Sequence, residues 1–280
     1  MTKKNILITG VAGMIGSELL ARFIHNKKYL IIGIDNFTLG KKQYIDKYLK
    51  YQNFKFFNIN ISNKIKNKKL TKLIKGKKID EIWHLAANSD IKSGIINSEV
   101  DYKNTFLTTY HILNFIKKKM KNDSKLIFTS SSAVFGDVKK IIKENMPALY
   151  SCSNYGSMKL ASEAIISSFS FLNNIKSFVF RLPNVVGKNL THGVVFDLAN
   201  KLKDKRNKNL KVLGNGKQCK PYSHGSEIVD CMIYVRNKSN KNFINYYNIG
   251  NNDKGVKVEK IVNLLIKKFN FKKKILYKKK

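Results

Sequence analysis

Cysteine is scarce in this chain. Cys152, Cys219 and Cys231 are an odd three, and none of them forms a pair at metal-ligand spacing. That count excludes a disulfide framework and a zinc centre, and leaves three reduced thiols as the expected state, with no bound metal. Long apolar runs are missing too. None approaches the roughly 18–20 residues that a membrane span needs. Met1-Thr2-Lys3-Lys4 followed by Ile6-Leu7-Ile8 has the outline of a signal peptide, but its apolar stretch is short and stops at a glycine, which excludes that reading. Without a targeting segment the expected compartment is the cytoplasm.

Acidic residues and arginine are the other shortages. Asp and Glu total 18 against 54 Lys and Arg, a formal charge of +36, yet only Arg22, Arg181, Arg206 and Arg236 are arginine. Nucleic-acid readers depend on the planar arginine fork for phosphate and base contacts. The lysines lie scattered among Asn and Ile in every segment, which is the pattern of a compositional bias. No specific nucleic-acid partner is therefore expected; an RNA-binding basic surface is the competing reading. Under either reading the field favours anionic ligands.

What is present is an alternating α/β pattern in a chain of 280 residues, 43% of them hydrophobic, enough to bury a substantial core. Strands are predicted at 5–9, 30–34, 54–59, 81–86, 125–129 and 177–181. Helices are predicted at 14–26, 98–119 and 153–171. Strands separated by helices imply a doubly wound parallel sheet of the Rossmann type. After Pro183 the elements shorten around Gly187, Gly193, Gly214 and Gly216. The predicted division is a dinucleotide-binding domain over 1–183 and a smaller, mainly substrate-binding lobe over 184–280, with some elements returning to the first sheet.

The strongest local motif is Thr9-Gly10-Val11-Ala12-Gly13-Met14-Ile15-Gly16, between the first strand and the first helix. Gly10 permits the tight turn, Gly13 lets the backbone approach a pyrophosphate, and Gly16 lets the helix pack closely. The N–H groups at the helix start, around Met14 and Ile15, then face the phosphates. Asp35 ends the second strand, 19 residues after Gly16. A carboxylate there accepts the ribose hydroxyls of NAD and repels the 2′-phosphate of NADP. NAD is the predicted cofactor.

Tyr155 and Lys159, four apart at the start of a predicted helix, share one face. A tyrosine titrates near ~10, so its use as a base near neutrality requires a stabilised phenolate. Ser131, in the run Thr129-Ser130-Ser131-Ser132-Ala133-Val134-Phe135-Gly136, ends the fifth strand. Strand C-termini are where such sheets bind ligands, and a serine there can hydrogen-bond the oxygen whose proton the tyrosine takes.

Together these segments resemble the extended short-chain dehydrogenase/reductase family, and within it the NAD-dependent nucleotide-sugar epimerases and dehydratases of the UDP-glucose 4-epimerase type. The resemblance also rests on Asp35-Asn36-Phe37 with Gly40, His84-Leu85-Ala86-Ala87, Asn104, Arg181-Leu182-Pro183-Asn184, the segment 214–218, Tyr222-Ser223-His224 and Tyr247-Asn248-Ile249-Gly250. It implies Ser131, Tyr155 and Lys159 as the catalytic set, with Tyr155 and Lys159 also touching the cofactor. It implies Asn36, Asn60, Ile61, Ala86, Ala87, Asn104 and Pro183 along the cofactor, and Ser131, Ser132, Asn184 and Lys220 toward a nucleotide-sugar. Asn60 replaces the family's usual Asp, Phe135 its usual Tyr, and Lys220 its usual Arg. Lys280 comes earlier than the usual family end, which implies a short C-terminal lobe.

Within that family the dehydratases carry an Asp-Glu pair directly after the catalytic Thr. Ser132 and Ala133 stand there instead, so elimination of water is not expected. The implied reaction is C4 epimerisation of a nucleotide-diphosphate hexose, most simply a UDP-hexose, through a 4-keto sugar. A sugar reductase or dehydrogenase with net NAD(H) turnover is the alternative enzyme, and a non-enzymatic member using its basic surface is the alternative from another class. A homodimer joined through helices 98–119 and 153–171 is the implied assembly, and His84 and His224 are expected to be structural.

Overall fold

The structure, a computed structural model, describes residues 3–66, 68–138, 141–148, 150–204, 206–238, 242–251 and 254–278. Two compact units emerge, Met1–Leu182 with Gly225–Ile249, and Pro183–His224 with Gly250–Lys280. The chain opens with β1 (Lys4–Thr9), α1 (Met14–Phe23), β2 (Tyr29–Asp35), β3 (Phe54–Asn58), α2 (Lys68–Ile74) and β4 (Glu81–His84). A helical stretch follows: α3 (Ile91–Ile96), α4 (Ser98–Asp101), a π-helical turn (Tyr102–Leu107) and α5 (Thr108–Ile116). Next come β5 (Lys125–Ser131), α6 (Asn154–Asn173) and β6 (Lys176–Leu182). The second unit takes β7 (Asn184–Val186), α7 (Val194–Lys203), β8 (Leu210–Leu213), β9 (Cys219–Lys220) and β10 (Tyr222–His224). Then α8 (Gly225–Asn237) and β11 (Ile244–Asn248) rejoin the first unit, and β12 (Val256–Lys257), α9 (Val258–Phe269) and β13 (Ile275–Lys278) belong to the second.

In the first unit seven strands form one sheet in the order β11-β6-β5-β4-β1-β2-β3. Every pairing is parallel, so the fold is the doubly wound Rossmann type. Strands covered on both faces must be apolar on both, and Ile6, Leu7 and Ile8 of β1 are at most 1% exposed. On one face Leu7, Ile32, Leu126, Phe128 and Val179 pack with Ile112, Ile116 and Ile166 of α5 and α6. On the other, Phe23 of α1 meets Trp83 edge-on at 5.5 Å. Each such large side chain, fully buried, stabilises the fold by roughly 1.5–3 kcal/mol. The strand order reverses between β1 and β4, which opens the ligand crevice at their C-terminal ends.

The single helix expected over 98–119 is interrupted. The amide of Asn88, from the loop after β4, donates to the Asn104 carbonyl at 3.0 Å. Thr108 and Thr109 both turn their hydroxyls onto the Thr105 carbonyl, at 2.8 and 3.0 Å. Groups that enter the i to i−4 ladder in this way widen it locally, and the widened turn faces the loop after β4. The unpredicted α2 lies in a lysine-rich stretch that buries only Leu70 and Ile74.

The second unit has its own core, in which Leu198 and Leu202 of α7 and Val258, Ile261 and Val262 of α9 enclose Leu210 and Val212 of β8. Three two-stranded ladders complete it: β8 with β13 and β7 with β10 in parallel, and β9 with β12 antiparallel. No described helix is long and apolar enough to cross a membrane.

Candidate active site

The glycine loop occupies the crevice between β1 and β4. Gly10 has φ +70°, and a Cβ there would come within 2.8 Å of the Ala86 amide nitrogen beyond β4. Only glycine tolerates both the backbone and the contact. The tightness at Gly16 differs from the expectation. A Cβ at Gly16 would collide with the Gly10 carbonyl and reach within 2.7 Å of Val11 Cα. Gly16 therefore packs α1 against the loop itself rather than against the sheet. Gly13 caps α1 without a side-chain hydrogen bond, and a Cβ there would meet only the Gly10 carbonyl. The first turn of α1, with Met14 and Ile15, thus keeps its N–H groups and positive dipole end for an anion.

Asp35 stands beside this loop. Its Oδ2 accepts from the Ala12 amide at 2.9 Å and its Oδ1 from the Phe37 amide at 2.8 Å. Burial raises its carboxyl above the ordinary range, against the pull of the Phe37, Ala12 and Asn36 amides. Each carboxylate oxygen still has a lone pair for a hydroxyl. Gly40 closes over the loop, where a Cβ would come within 2.8 Å of Ala12 backbone atoms. The Ile59 amide donates to the Asp35 carbonyl at 3.0 Å, which sets Asn60 and Ile61 next to the end of β2. Asn36 and Asn60 accept from Thr38 and Ser62 amides in their own turns, at 3.0 and 2.9 Å. Ile61, 4% exposed, packs into the sheet's core, so only its backbone is available to a ligand. These residues fit a dinucleotide: a glycine cradle that any Cβ would fill, a free helix start and an acceptor carboxylate.

On β4 and beyond, Ala86 and Ala87 are half-buried. The Ala86 amide donates to Thr9 Oγ1 at 3.3 Å. His84 is fully buried, held between Thr9 Oγ1 at 2.7 Å and Thr109 Oγ1 at 3.0 Å and stacked on Phe128. Burial, helped by the Lys159 charge, pushes it down to about 3. It is a neutral structural imidazole. Asn104 lies in the π-helical turn, and its carbonyl is the acceptor for Asn88.

Ser131, Tyr155 and Lys159 come together. Ser131 ends β5 and caps the short 3-10 turn Ser132–Phe135, its Oγ accepting from the Ala133 amide at 3.2 Å. Ser153 caps α6 by accepting from the Gly156 amide at 3.1 Å, so Tyr155 falls in the first turn. The Tyr155 hydroxyl faces the Ser131 side chain. Burial pushes the phenol up to about 12; the Ser131 side chain opposes that shift and the Asp101 carboxylate adds to it. Lys159, 2% exposed, donates its ammonium to the Thr129 carbonyl at 2.6 Å and lies 4.7 Å from the Phe128 ring centre and 5.8 Å from that of Tyr155. Burial pushes it down to about 7, against Glu163 one turn along α6.

Several residues of this site escape a reading of the sequence. Gly156 allows the approach: a Cβ there would reach within 2.6 Å of the Ala133 carbonyl. Glu163, buried, accepts from Ser130 Oγ at 2.5 Å and from Arg181 at 2.7 and 3.1 Å. The Arg181 guanidinium lies against the rings of Phe135 and Tyr246. This pair ties α6 to β5 and β6 directly behind Ser131. Cys152 is exposed, its thiol turned to the Tyr150 carbonyl.

In the second unit, Asn184 of β7 donates its side-chain amide to the Pro221 carbonyl at 3.2 Å. Lys220, exposed on β9, is the neighbour of Pro221. Two of the four residues assigned to the nucleotide-sugar, Asn184 and Lys220, therefore lie together. Among the described residues no group of three His, Cys, Asp or Glu could hold a metal ion.

A Methanocaldococcus jannaschii protein with the provisional name UDP-glucose 4-epimerase is 26% identical over 280 residues, covering 98% of this chain and 85% of that one. Human dTDP-D-glucose 4,6-dehydratase is 26% identical over 254 residues, 89% of this chain and 69% of its own. Among solved structures, UDP-glucuronic acid 4-epimerase from Bacillus cereus, in complex with UDP-glucuronic acid and NAD, is 25% identical with a TM-score of 0.84, and the match covers 98% of this chain and 86% of that one. A family model described as the NAD dependent epimerase/dehydratase family matches residues 6–250; the chain belongs to that family, and NAD is its cofactor.

Proposed function

We propose that the protein interconverts a nucleotide-diphosphate hexose, of the UDP-hexose class, with its 4-epimer. The observation that carries this reading is Ser131 facing the Tyr155 hydroxyl beside a buried Lys159, with Ser132 and Ala133 next in line. Such a site has one proton-transfer set, and Ser132 and Ala133 place no acid or base directly after Ser131, which suits reversible oxidation at one carbon better than elimination.

Tyr155 takes the proton of the C4 hydroxyl while Ser131 holds that oxygen. NAD, when bound, supplies the reversible acceptor for the C4 hydrogen. Gly10, Gly13, Met14, Ile15 and Gly16 would hold its pyrophosphate, Asp35 and Asn36 its adenosine ribose, and Asn60 and Ile61 would serve the adenine. Ala86, Ala87, Asn104 and Pro183 would contact the rest of it. Lys159 brings positive charge to the phenolate. Burial works against an ionised phenol, so Tyr155 depends on this charge to act near neutral pH. The 4-keto sugar turns over, Tyr155 returns the proton and the hydrogen re-enters from the other face. Ser132, Asn184 and Lys220 contact the nucleotide-sugar, with Lys220 pairing the diphosphate.

Tyr102 and Tyr110, 46% and 48% exposed, lie along the α4–α5 run, and the Tyr102 ring stacks on that of Phe106 at 6.1 Å. These exposed rings support a homodimer through that run and α6. Three free thiols suit the reducing cytoplasm.

The test is direct. Purified protein is incubated with UDP-glucose, UDP-N-acetylglucosamine or UDP-glucuronic acid, and the anomeric protons are followed by NMR alongside absorbance at the NADH band. Equilibration of one pair without net NADH is the expected result. Net NADH production would select the dehydrogenase reading, and no conversion of any pair would reject the epimerase.

A further inference from the structure

Glu163 of α6 and Arg181 of β6 are 2% and 7% exposed. Arg181 donates from Nη2 to Glu163 Oε2 at 2.7 Å and from Nε to Oε1 at 3.1 Å, and Oε1 also accepts from Ser130 Oγ at 2.5 Å. The guanidinium carbon of Arg181 lies over the rings of Phe135 and Tyr246, 4.8 and 4.7 Å from their centres. Such a pair is weak evidence of stability. Taking both ions out of water offsets most of their attraction, and apolar side chains of similar volume often do as well.

What the pair touches is more informative. Ser130 directly precedes Ser131 at the end of β5, and Phe135 ends the 3-10 turn that follows it. Ser131 therefore sits on a short piece of chain held on both sides. Before it, Glu163 grips the Ser130 hydroxyl. After it, Arg181 rests on the Phe135 ring, which is 4% exposed. One turn earlier in α6, the Lys159 ammonium holds the Thr129 carbonyl at 2.6 Å. Helix α6 thus grips the last residues of β5 through two side chains four apart. Neither Glu163 nor Arg181 is among the residues assigned to NAD or to the nucleotide-sugar.

We propose that Glu163 and Arg181 form one positioning unit for Ser131: through Ser130 on one side and Phe135 on the other, the pair fixes the strand end and its turn so that Ser131 Oγ meets the sugar oxygen that Tyr155 deprotonates. A misplacement of about 1 Å costs on the order of 10²-fold in rate, so the effect of the pair lies in turnover rather than in affinity. This inference rests on the reading of Ser131 and Tyr155 as the proton-transfer set.

The experiment compares placement with turnover. Glu163→Leu together with Arg181→Met replaces the pair by apolar side chains of similar volume. Crystal structures of the NAD-bound wild type and of this variant read the position of Ser131 Oγ relative to the Tyr155 hydroxyl. Steady-state kinetics with the UDP-sugar that the wild type converts reads kcat and KM separately. The expected variant binds NAD as the wild type does, shifts Ser131 Oγ by about 1 Å and loses kcat on the order of 10²-fold, with KM changed by less than about threefold. Ser131 in its wild-type place, or an unchanged kcat, overturns the proposal. Loss of NAD binding in step with kcat marks a role in the fold alone and overturns it as well. Should the paired variant not fold, Ser130→Ala with Phe135→Leu cuts both links and leaves the ion pair intact, and the same results decide. A wild type that converts no sugar ends the epimerase reading by itself, while the Ser131 displacement still decides whether the pair places that residue.

Discussion

Gly156 and Ala133 set the distance across the candidate site: a Cβ on Gly156 would lie within 2.6 Å of the Ala133 carbonyl oxygen. The start of α6 is seated on the turn that follows Ser131, and this contact brings the Tyr155 hydroxyl to the Ser131 side chain. A methyl group cannot enter without moving one of the two backbones. Gly156→Ala is expected to destabilise the fold by about 1–3 kcal/mol and to lower turnover far more than cofactor affinity. Urea denaturation together with calorimetric titration of NAD separates the two effects.

Removing the phenolic hydroxyl tests the proton-transfer role. Tyr155→Phe is expected to lower kcat about 10²–10⁴-fold with NAD binding retained, because the residues assigned to pyrophosphate and adenosine ribose lie on other elements. Steady-state kinetics beside a binding isotherm is the measurement. Loss of NAD binding in step with kcat would point to a misfolded variant.

Asp35 is the residue assigned to the choice of dinucleotide. Asp35→Ser takes away the carboxylate proposed to accept the ribose hydroxyls and to repel a 2′-phosphate. NAD binding should weaken about tenfold, and the preference over NADP should narrow. Fluorescence titration with both cofactors reads the ratio. Part of the loss belongs to the Ala12 and Phe37 amides that Asp35 also satisfies.

His84 predicts an acid limb in stability. Its folded value lies near about 3 and its ordinary value is 6.5, so below 6.5 the unfolded chain takes up a proton that the folded chain refuses. Stability must therefore fall as the pH drops from about 6.5 toward about 3. His84→Gln, which can still bond Thr9 and Thr109, should lose less stability over that range than the wild type. Thermal denaturation across a pH series compares them, and parallel curves would reject the assignment of a neutral buried imidazole.

Dimer formation is testable at the exposed rings. Tyr102→Lys with Tyr110→Lys is expected to give a monomer of unchanged secondary structure. Light scattering after size exclusion, together with circular dichroism, decides it. A wild type that is already monomeric at micromolar concentration would reject the homodimer.

Much of the site is legible along the chain because its parts are local. The glycine spacing, Asp35 at a strand end and Tyr155 with Lys159 one helical turn apart each need only neighbours in sequence. Gly156 carries no such signal, since it is required by a contact with the distant turn at Ala133. Asp101 could have been noticed. It shares a helical face with Thr105, Thr108 and Ile112, which are buried, and an acid on an otherwise buried stripe is an anomaly. Without the fold, however, nothing says which groups surround it. The interruption of the helix at Tyr102–Leu107 was likewise unreadable, because its cause is an amide from the loop after β4.

The sequence by itself determined the parallel Rossmann sheet and the glycine loop with Asp35 at the end of the second strand, because hydrophobic period and glycine placement act over a few residues and leave their pattern in the chain. Only the tertiary structure decided what surrounds Tyr155. It joined Ser131 from β5 with Tyr155 and Lys159 from α6, brought α8 and β11 back to the first unit, and seated Asn184 beside Pro221. Those placements depend on long-range packing and on the electrostatics of burial, which shift the phenol and the ammonium in opposite directions and have no counterpart in any short stretch of sequence.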